Sequence, residues 1–216
     1  MRRKRLDNPP PHTYRSVGMV DIPNEARQAI LQSAIATFAR KGYAGTSVQD
    51  ILQAAQLSKP TLYYYFENKA GLFRAILDYA YGESFKRMKE AAAAEKTAEK
   101  QLVAVGTAIF AWARENQNLM RLVLATVFAA PEEVPAECVQ PFKRRCYREL
   151  ILEIIRAGQA SGEFDSKYDA KELMHGIFGA ISHQIRSHLL LPEGELDRKL
   201  AERTVALFLN GARPHK

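Results

Sequence analysis

Between residues 58 and 69 the chain gathers side chains suited to holding a polyanion. Ser58, Lys59, Thr61, Tyr63, Tyr64, Tyr65 and Lys69 supply hydroxyl, ammonium and aromatic groups, and Glu67 is the only acid among them. Ammonium and hydroxyl groups donate to phosphate oxygens, and polar side chains of this kind also reach base edges. Other chemistry is poorly represented. There is no phosphate-cradling P-loop, no G-x-S-x-G nucleophile turn and no paired-carboxylate signal, so catalysis is not expected and no cofactor is implied. His175, His183 and His188 fall outside the spacing of three or four at which a helix presents metal ligands together, so no metal site is expected. Cys138 and Cys146 lie eight apart on one expected helix, about 12 Å by rise. A disulfide needs Cα atoms within about 7 Å.

Helices must position these groups, because the chain has almost no strand signal. Asn24 is a good cap for a helix over 25–41, in which Ile30, Ala34 and Phe38 recur every fourth residue beside Leu31 and Ile35. Lys41-Gly42 ends it, Gly42 taking the left-handed position. Thr46-Ser47-Val48-Gln49 fits a capping box, with Thr46 as cap and Gln49 reaching back, for a helix over 47–55 that buries Val48 and Ile51. After a turn at Gln56-Leu57, Ser58 caps a helix of about 59–65. Pro60 is tolerated there, since first-turn N–H groups have no intrahelical partner. Two short helices joined this way form a helix-turn-helix, whose second helix enters the major groove. Asn68 caps a long helix to about 90. Further helices are expected over 96–115, 118–129, 136–160, 170–190 and 195–210, with breaks at Pro131, Pro135, Gly162 and Pro192. The fold class is all-α, with about nine helices.

The charge follows this division. The whole chain carries a formal +7. Residues 1–70 hold ten basic and five acidic groups, and the remaining 146 are nearly balanced. One segment meets a polyanion, and the larger part does something else. Residues 1–22, with Arg2-Arg3-Lys4-Arg5 and Pro9-Pro10-Pro11, read as a flexible basic arm. Residues 23–70 read as the DNA-binding domain and 71–216 as a second helical domain, ligand-sensing and dimerising by the resemblance that the residues of 42–73 carry. No run approaches the roughly 18 apolar residues of a membrane span. No apolar run follows the basic N-terminus as a secretory signal requires. Two cysteines suit a reducing compartment, so a cytoplasmic protein is expected.

The run Gly42-Tyr43-Ala44-Gly45-Thr46-Ser47-Val48, then Ile51, Ala54-Ala55, Leu57-Ser58, and Leu62-Tyr63-Tyr64-Tyr65-Phe66 with Lys69 and Leu72-Phe73 resembles the N-terminal domain of the tetracycline-repressor (TetR) family of bacterial transcriptional regulators. The resemblance covers about residues 25–74. Gly158-Gln159-Ala160-Ser161-Gly162-Glu163-Phe164 resembles a helix-end motif of the family's C-terminal domains. The resemblance implies that Thr46 and Ser47 open the first helix of the motif, with Thr46 touching phosphate. It implies that Lys59 and Tyr63 reach bases or nearby backbone, and that Ser58, Tyr64, Tyr65 and Lys69 hold phosphates. Leu62 and Phe66, four apart, belong to the core, as does Tyr43. Two positions depart from the pattern: Gln56 stands where the family often has Gly in the turn, and Pro60 where it often has Gly after the cap.

The expected function is a ligand-responsive regulator, a repressor, binding a palindromic double-stranded DNA operator as a homodimer. The other reading is a helical small-molecule binding protein with a degenerate DNA-reading motif, which Gln56 and Pro60 favour. For the effector pocket the bulky residues Phe110, Trp112, Met120, Phe128 and Met174 are candidates. For the dimer interface the candidates are Gly176, Gly179, Ala180 and His183 on one late helix and Leu200, Thr204 and Leu207 on the last. Mid-helix glycines cost about 1 kcal/mol each against alanine, which close approach of another helix, in the same chain or a second copy, would offset.

Overall fold

The computed structural model describes residues 25–130, 133–138, 141–191 and 194–211. The basic arm, the cap at Asn24 and the breaks at Pro131 and Pro192 lie outside the described residues. Nine α-helices run in order among the described residues: α1 Glu25–Lys41, α2 Val48–Ala55, α3 Lys59–Tyr65, α4 Lys69–Ala93, α5 Ala98–Glu115, α6 Gln117–Phe128, α7 Pro141–Ala160, α8 Ala170–Leu190 and α9 Arg198–Gly211. A 3₁₀ turn, Ala136–Cys138, precedes α7. No strand occurs among the described residues.

Most boundaries follow their caps. Gly42 is left-handed at φ 71° and its N–H meets the Phe38 carbonyl, closing α1. Asn68 accepts from the Gly71 N–H, Thr97 from Lys100 and Asp169 from Lys171 and Glu172. Two expectations fail. The capping box of α2 is one residue later than expected: Ser47 is the cap and Asp50, not Gln49, is its partner. The helix expected over 136–160 is two pieces, because Pro141 supplies a first helical residue with no N–H to satisfy. Cys138 and Cys146 therefore do not share a helix. Both are thiols rather than halves of a disulfide, and the Cys138 thiol donates to the Ala70 carbonyl.

Helices α1–α3 pack around Ile30, Ala34, Phe38, Ile51, Leu62 and Phe66, with Leu72 and Phe73 of α4 completing that core. The body packs α4 on α5, α5 on α9 and α7 on α8. Helix α1 also packs against α6, so two body helices touch the N-terminal unit. The motif 158–164 works as a clasp. The Phe164 ring lies against α7 where a Cβ on Gly158 would otherwise sit. The Glu163 carboxylate accepts from the Ala98 and Glu99 N–H groups at 2.9 and 2.7 Å, capping α5 from a distant part of the chain.

Candidate nucleic-acid interface and effector cavity

Helix α3 turns one side into the core and the other outwards. Leu62 is fully buried, and Phe66 just beyond the helix is buried beside it. Lys59 is exposed, as are Tyr63 at 45% and Tyr64 at 82%, the latter being unusually open for so large an apolar ring. Lys59 Nζ lies 5.9 Å from the Tyr63 ring centre, at the edge of cation–π range. Tyr65 is half-buried and its ring stands edge-on to Tyr64. Ser58 occupies the cap position with extended backbone, but its hydroxyl makes no cap hydrogen bond. It shares a proton with the Thr61 hydroxyl at 2.8 Å instead.

Ser47, at the start of α2, is exposed and tied into a local network. Its hydroxyl accepts from the Asp50 N–H and donates to the Asp50 carboxylate, which also accepts from the Ser47 N–H and from Lys41 Nζ at 2.7 Å. The Lys41 hydrogen bond, with those from Ser47, holds the Asp50 carboxyl far below its usual range. The one acid of α2 thus carries a cation beside it.

Two residues expected at the phosphate face point elsewhere. Thr46 is buried, and its hydroxyl donates to the Gly42 carbonyl at 2.7 Å. Lys69 reaches back over the loop before α2 and donates to the Tyr43 and Thr46 carbonyls at 3.0 and 2.8 Å. Its ammonium sits 4.2 Å from the Tyr43 ring centre, and burial lowers its pKa. Tyr43 in turn packs on Phe38 and Phe73. Lys69 thus joins the start of α4 to the loop that delivers α2. No sequence signal separates it from a phosphate lysine, because its partners are backbone carbonyls 23 and 26 residues away.

The Gln56 backbone is left-handed, at φ 54° and ψ 40°. The Gln56 N–H meets the Gln53 carbonyl, and the Leu57 N–H meets that of Leu52, so α2 ends in a Schellman turn. The family's Gly position is therefore filled by Gln without a change of turn, at a cost of about 1 kcal/mol.

A cavity of about 280 Å³ lies between α4, α5, α6, α7 and α8. Trp112 and Met120 line it, with Met88, Ile109, Val123 and Phe178 among their neighbours. Phe110 and Met174, expected in the pocket, are buried in the core and are not among the residues that line this cavity. The Phe128 side chain lies outside the described residues. Sequence reasoning missed the polar part of the wall: Ser84, Tyr147, Ser182 and Arg186. Their types carried no signal, since each is an ordinary surface residue until the helices meet.

The proposed interface residues divide. A Cβ on Gly176 would meet the Phe208 ring of α9, so that glycine serves contact within the chain. Thr204 is buried, its hydroxyl donating to the Leu200 carbonyl, and Leu200 and Ala180 are half-buried. Gly179, which also lines the cavity, His183 and Leu207 are exposed, Leu207 at 72%. Among the described residues no group of three or more histidines, cysteines and acids could hold a metal, and no helix is long and apolar enough to cross a membrane.

Two family models match the chain. Residues 30–76 match bacterial regulatory proteins of the tetR family, and residues 95–212 match the tetracyclin repressor-like C-terminal domain. The chain belongs to the TetR family. It is therefore a ligand-responsive DNA-binding transcriptional regulator, and TetR regulators engage their operators as dimers. The family consists of transcriptional regulators rather than enzymes. Among relatives, the chain is 39% identical over 64 residues to the uncharacterized HTH-type transcriptional regulator YuxN of Bacillus subtilis, covering 30% of this chain and 22% of YuxN. It is 24% identical over 161 residues to the fatty acid metabolism regulator protein of the same organism, covering 74% of this chain and 82% of that one. The crystal structure of the transcriptional regulator FadR from Bacillus subtilis in complex with stearoyl-CoA superposes with a TM-score of 0.74 at 22% identity, over 86% of this chain and 99% of FadR. At that identity the likeness concerns the TetR fold.

Proposed function

We propose that the chain is a cytoplasmic homodimeric repressor whose α3 face reads a palindromic operator and whose cavity admits an effector that reverses binding. The observation that carries this reading is the path of α4. Its first residue clasps the loop before α2, and Tyr81, Ser84 and Met88 on the same helix line the cavity. From Lys69 to Ser84 is roughly 22 Å at 1.5 Å per residue. An effector that shifts α4 thereby pulls on the DNA-reading unit. It moves the equilibrium only by its differential affinity for the two states.

The lining supports a mostly apolar effector with a polar end. Aliphatic and aromatic groups dominate the wall, and Ser84, Tyr147, Ser182 and Arg186 are the polar exceptions. FadR, of the same fold, carries stearoyl-CoA in its crystal structure, which makes acyl thioesters the first class to try. Base and phosphate contacts fall to Lys59, Tyr63 and Tyr64 with Ser47, Ser58, Thr61 and Tyr65 around them. The exposed Gly179, His183 and Leu207 support a dimer patch on α8 and α9.

Selection from a random duplex pool tests the reading. A palindromic consensus is expected, with half-sites 34–36 Å apart or a multiple of that. Lys59→Ala with Tyr63→Ala should lose specific binding while remaining dimeric. No enrichment from the pool would overturn the proposal in favour of a small-molecule binding protein without DNA readout.

A further inference from the structure

We propose that the Tyr147 phenol donates a hydrogen bond to a carbonyl oxygen of the effector, giving up its bond to the Tyr81 carbonyl of α4. This rests on the cavity being the effector site. Tyr147 is buried on α7 and lines the cavity. Its hydroxyl donates to the Tyr81 carbonyl of α4 at 3.0 Å and lies 2.7 Å from Ser84 Oγ. Ser84 donates to the Ala80 carbonyl at 2.5 Å.

The proton count is short. Each hydroxyl has one proton. With one on Ala80 and the other on Tyr81, the oxygen–oxygen contact at 2.7 Å has none. If either hydroxyl donates to the other, one of the two carbonyls loses its side-chain donor. Three short contacts thus compete for two protons. Ala80 and Tyr81 lie inside α4, where each carbonyl also serves the helix ladder, so losing the second donor orphans neither. The Tyr147 proton is therefore available at low cost to a better-placed acceptor.

The ring need not move for this. It packs against Tyr81 and Phe85, with ring centres 5.9 Å away in both cases, and only the O–H torsion has to turn. Burial pushes the phenol well above its usual pKa, keeping it a neutral donor. A carbonyl held against the apolar parts of the wall would lose its hydration without replacement. At Tyr147 it gains a donor. The class read is an apolar chain bearing a ketone, ester or thioester carbonyl.

The experiment uses the full-length protein and two probes of equal chain length, 2-undecanone and undecane, each displacing a bound apolar fluorophore. Wild type should prefer the ketone by roughly 3- to 10-fold, the range one net hydrogen bond gives. Tyr147→Phe should keep its affinity for undecane and lose the preference. Ser84→Ala removes the other hydroxyl of the pair and keeps the phenol, so it should keep the preference; a preference lost in folded Ser84→Ala makes Ser84 the donor and overturns the proposal, whether or not the phenylalanine variant folds. The ketone should release wild-type protein from its selected operator at lower concentration than undecane, and Tyr147→Phe should not distinguish them. A ketone preference that survives in folded Tyr147→Phe, or is absent in wild type, overturns the proposal. Displacement by neither probe overturns the cavity reading itself, and this inference with it.

Discussion

Lys59 and Lys69 carry the same charge ten residues apart and face opposite environments. Lys59 is exposed on α3, and Lys69 donates to two loop carbonyls. Salt dependence separates the two roles, because each phosphate contact removed lowers the slope of log affinity against log salt by about one. Lys59→Ala should weaken operator binding and reduce that slope. Lys69→Met should leave the slope unchanged and lower stability by about 1–3 kcal/mol, the worth of hydrogen bonds to a charged group. A flat melting temperature with a reduced slope in Lys69→Met would return Lys69 to the phosphate face. The types of these residues were legible in the sequence, and their directions were not. Whether Thr46 and Lys69 point inwards depends on how the loop 42–47 folds over the start of α4, a contact between distant segments that periodicity does not encode. Leu62 and Phe66 were legible because helical spacing alone sets them on the inner face.

At the level of elements, local chemistry fixed most of the boundaries and one-residue ambiguities accounted for the errors. Thr46-Ser47 offers two adjacent hydroxyl caps, and Asp50 and Gln49 offer two candidate partners. The shorter carboxylate wins because it also pairs with Lys41. Glu163 capping α5 was not legible, since its partners lie 64 and 65 residues away. The turn after α2 is the clearest case of a suboptimal local choice. Gln56 is the only non-glycine residue with positive φ among the described residues. Gln56→Gly removes the Cβ strain and keeps the Schellman hydrogen bonds, which are made by the backbone. It also loosens the unfolded chain, so the net gain should be at most about 1 kcal/mol. Equilibrium denaturation should show a higher midpoint at unchanged slope. A lower midpoint would mean that the Gln56 side chain contributes a contact worth more than the strain.

For the whole molecule, the uneven charge and the two-part architecture lead to one requirement: two copies must be held at a fixed spacing. A single α3 presents few cationic groups, and doubling them on one duplex makes the modest net charge sufficient. The surface available for that pairing is limited, because Gly176, Thr204 and much of the inner face of α9 are already committed within the chain. Leu207 is the large apolar group still exposed in the middle of α9, with His183 exposed on α8. A two-fold interface brings each patch against its own copy. A carboxylate introduced there faces apolar surface and a second carboxylate. Leu207→Glu should therefore be monomeric by light scattering at concentrations where wild type is dimeric. Its helix content by circular dichroism should match that of wild type, because Leu207 is exposed in the single chain. The operator salt slope should fall to about half, since one protomer now supplies the phosphate contacts. If Leu207→Glu remains dimeric with the wild-type slope, the pairing surface lies elsewhere, and the exposed apolar end of α8 at Leu190 and Leu191 becomes the next place to introduce the charge.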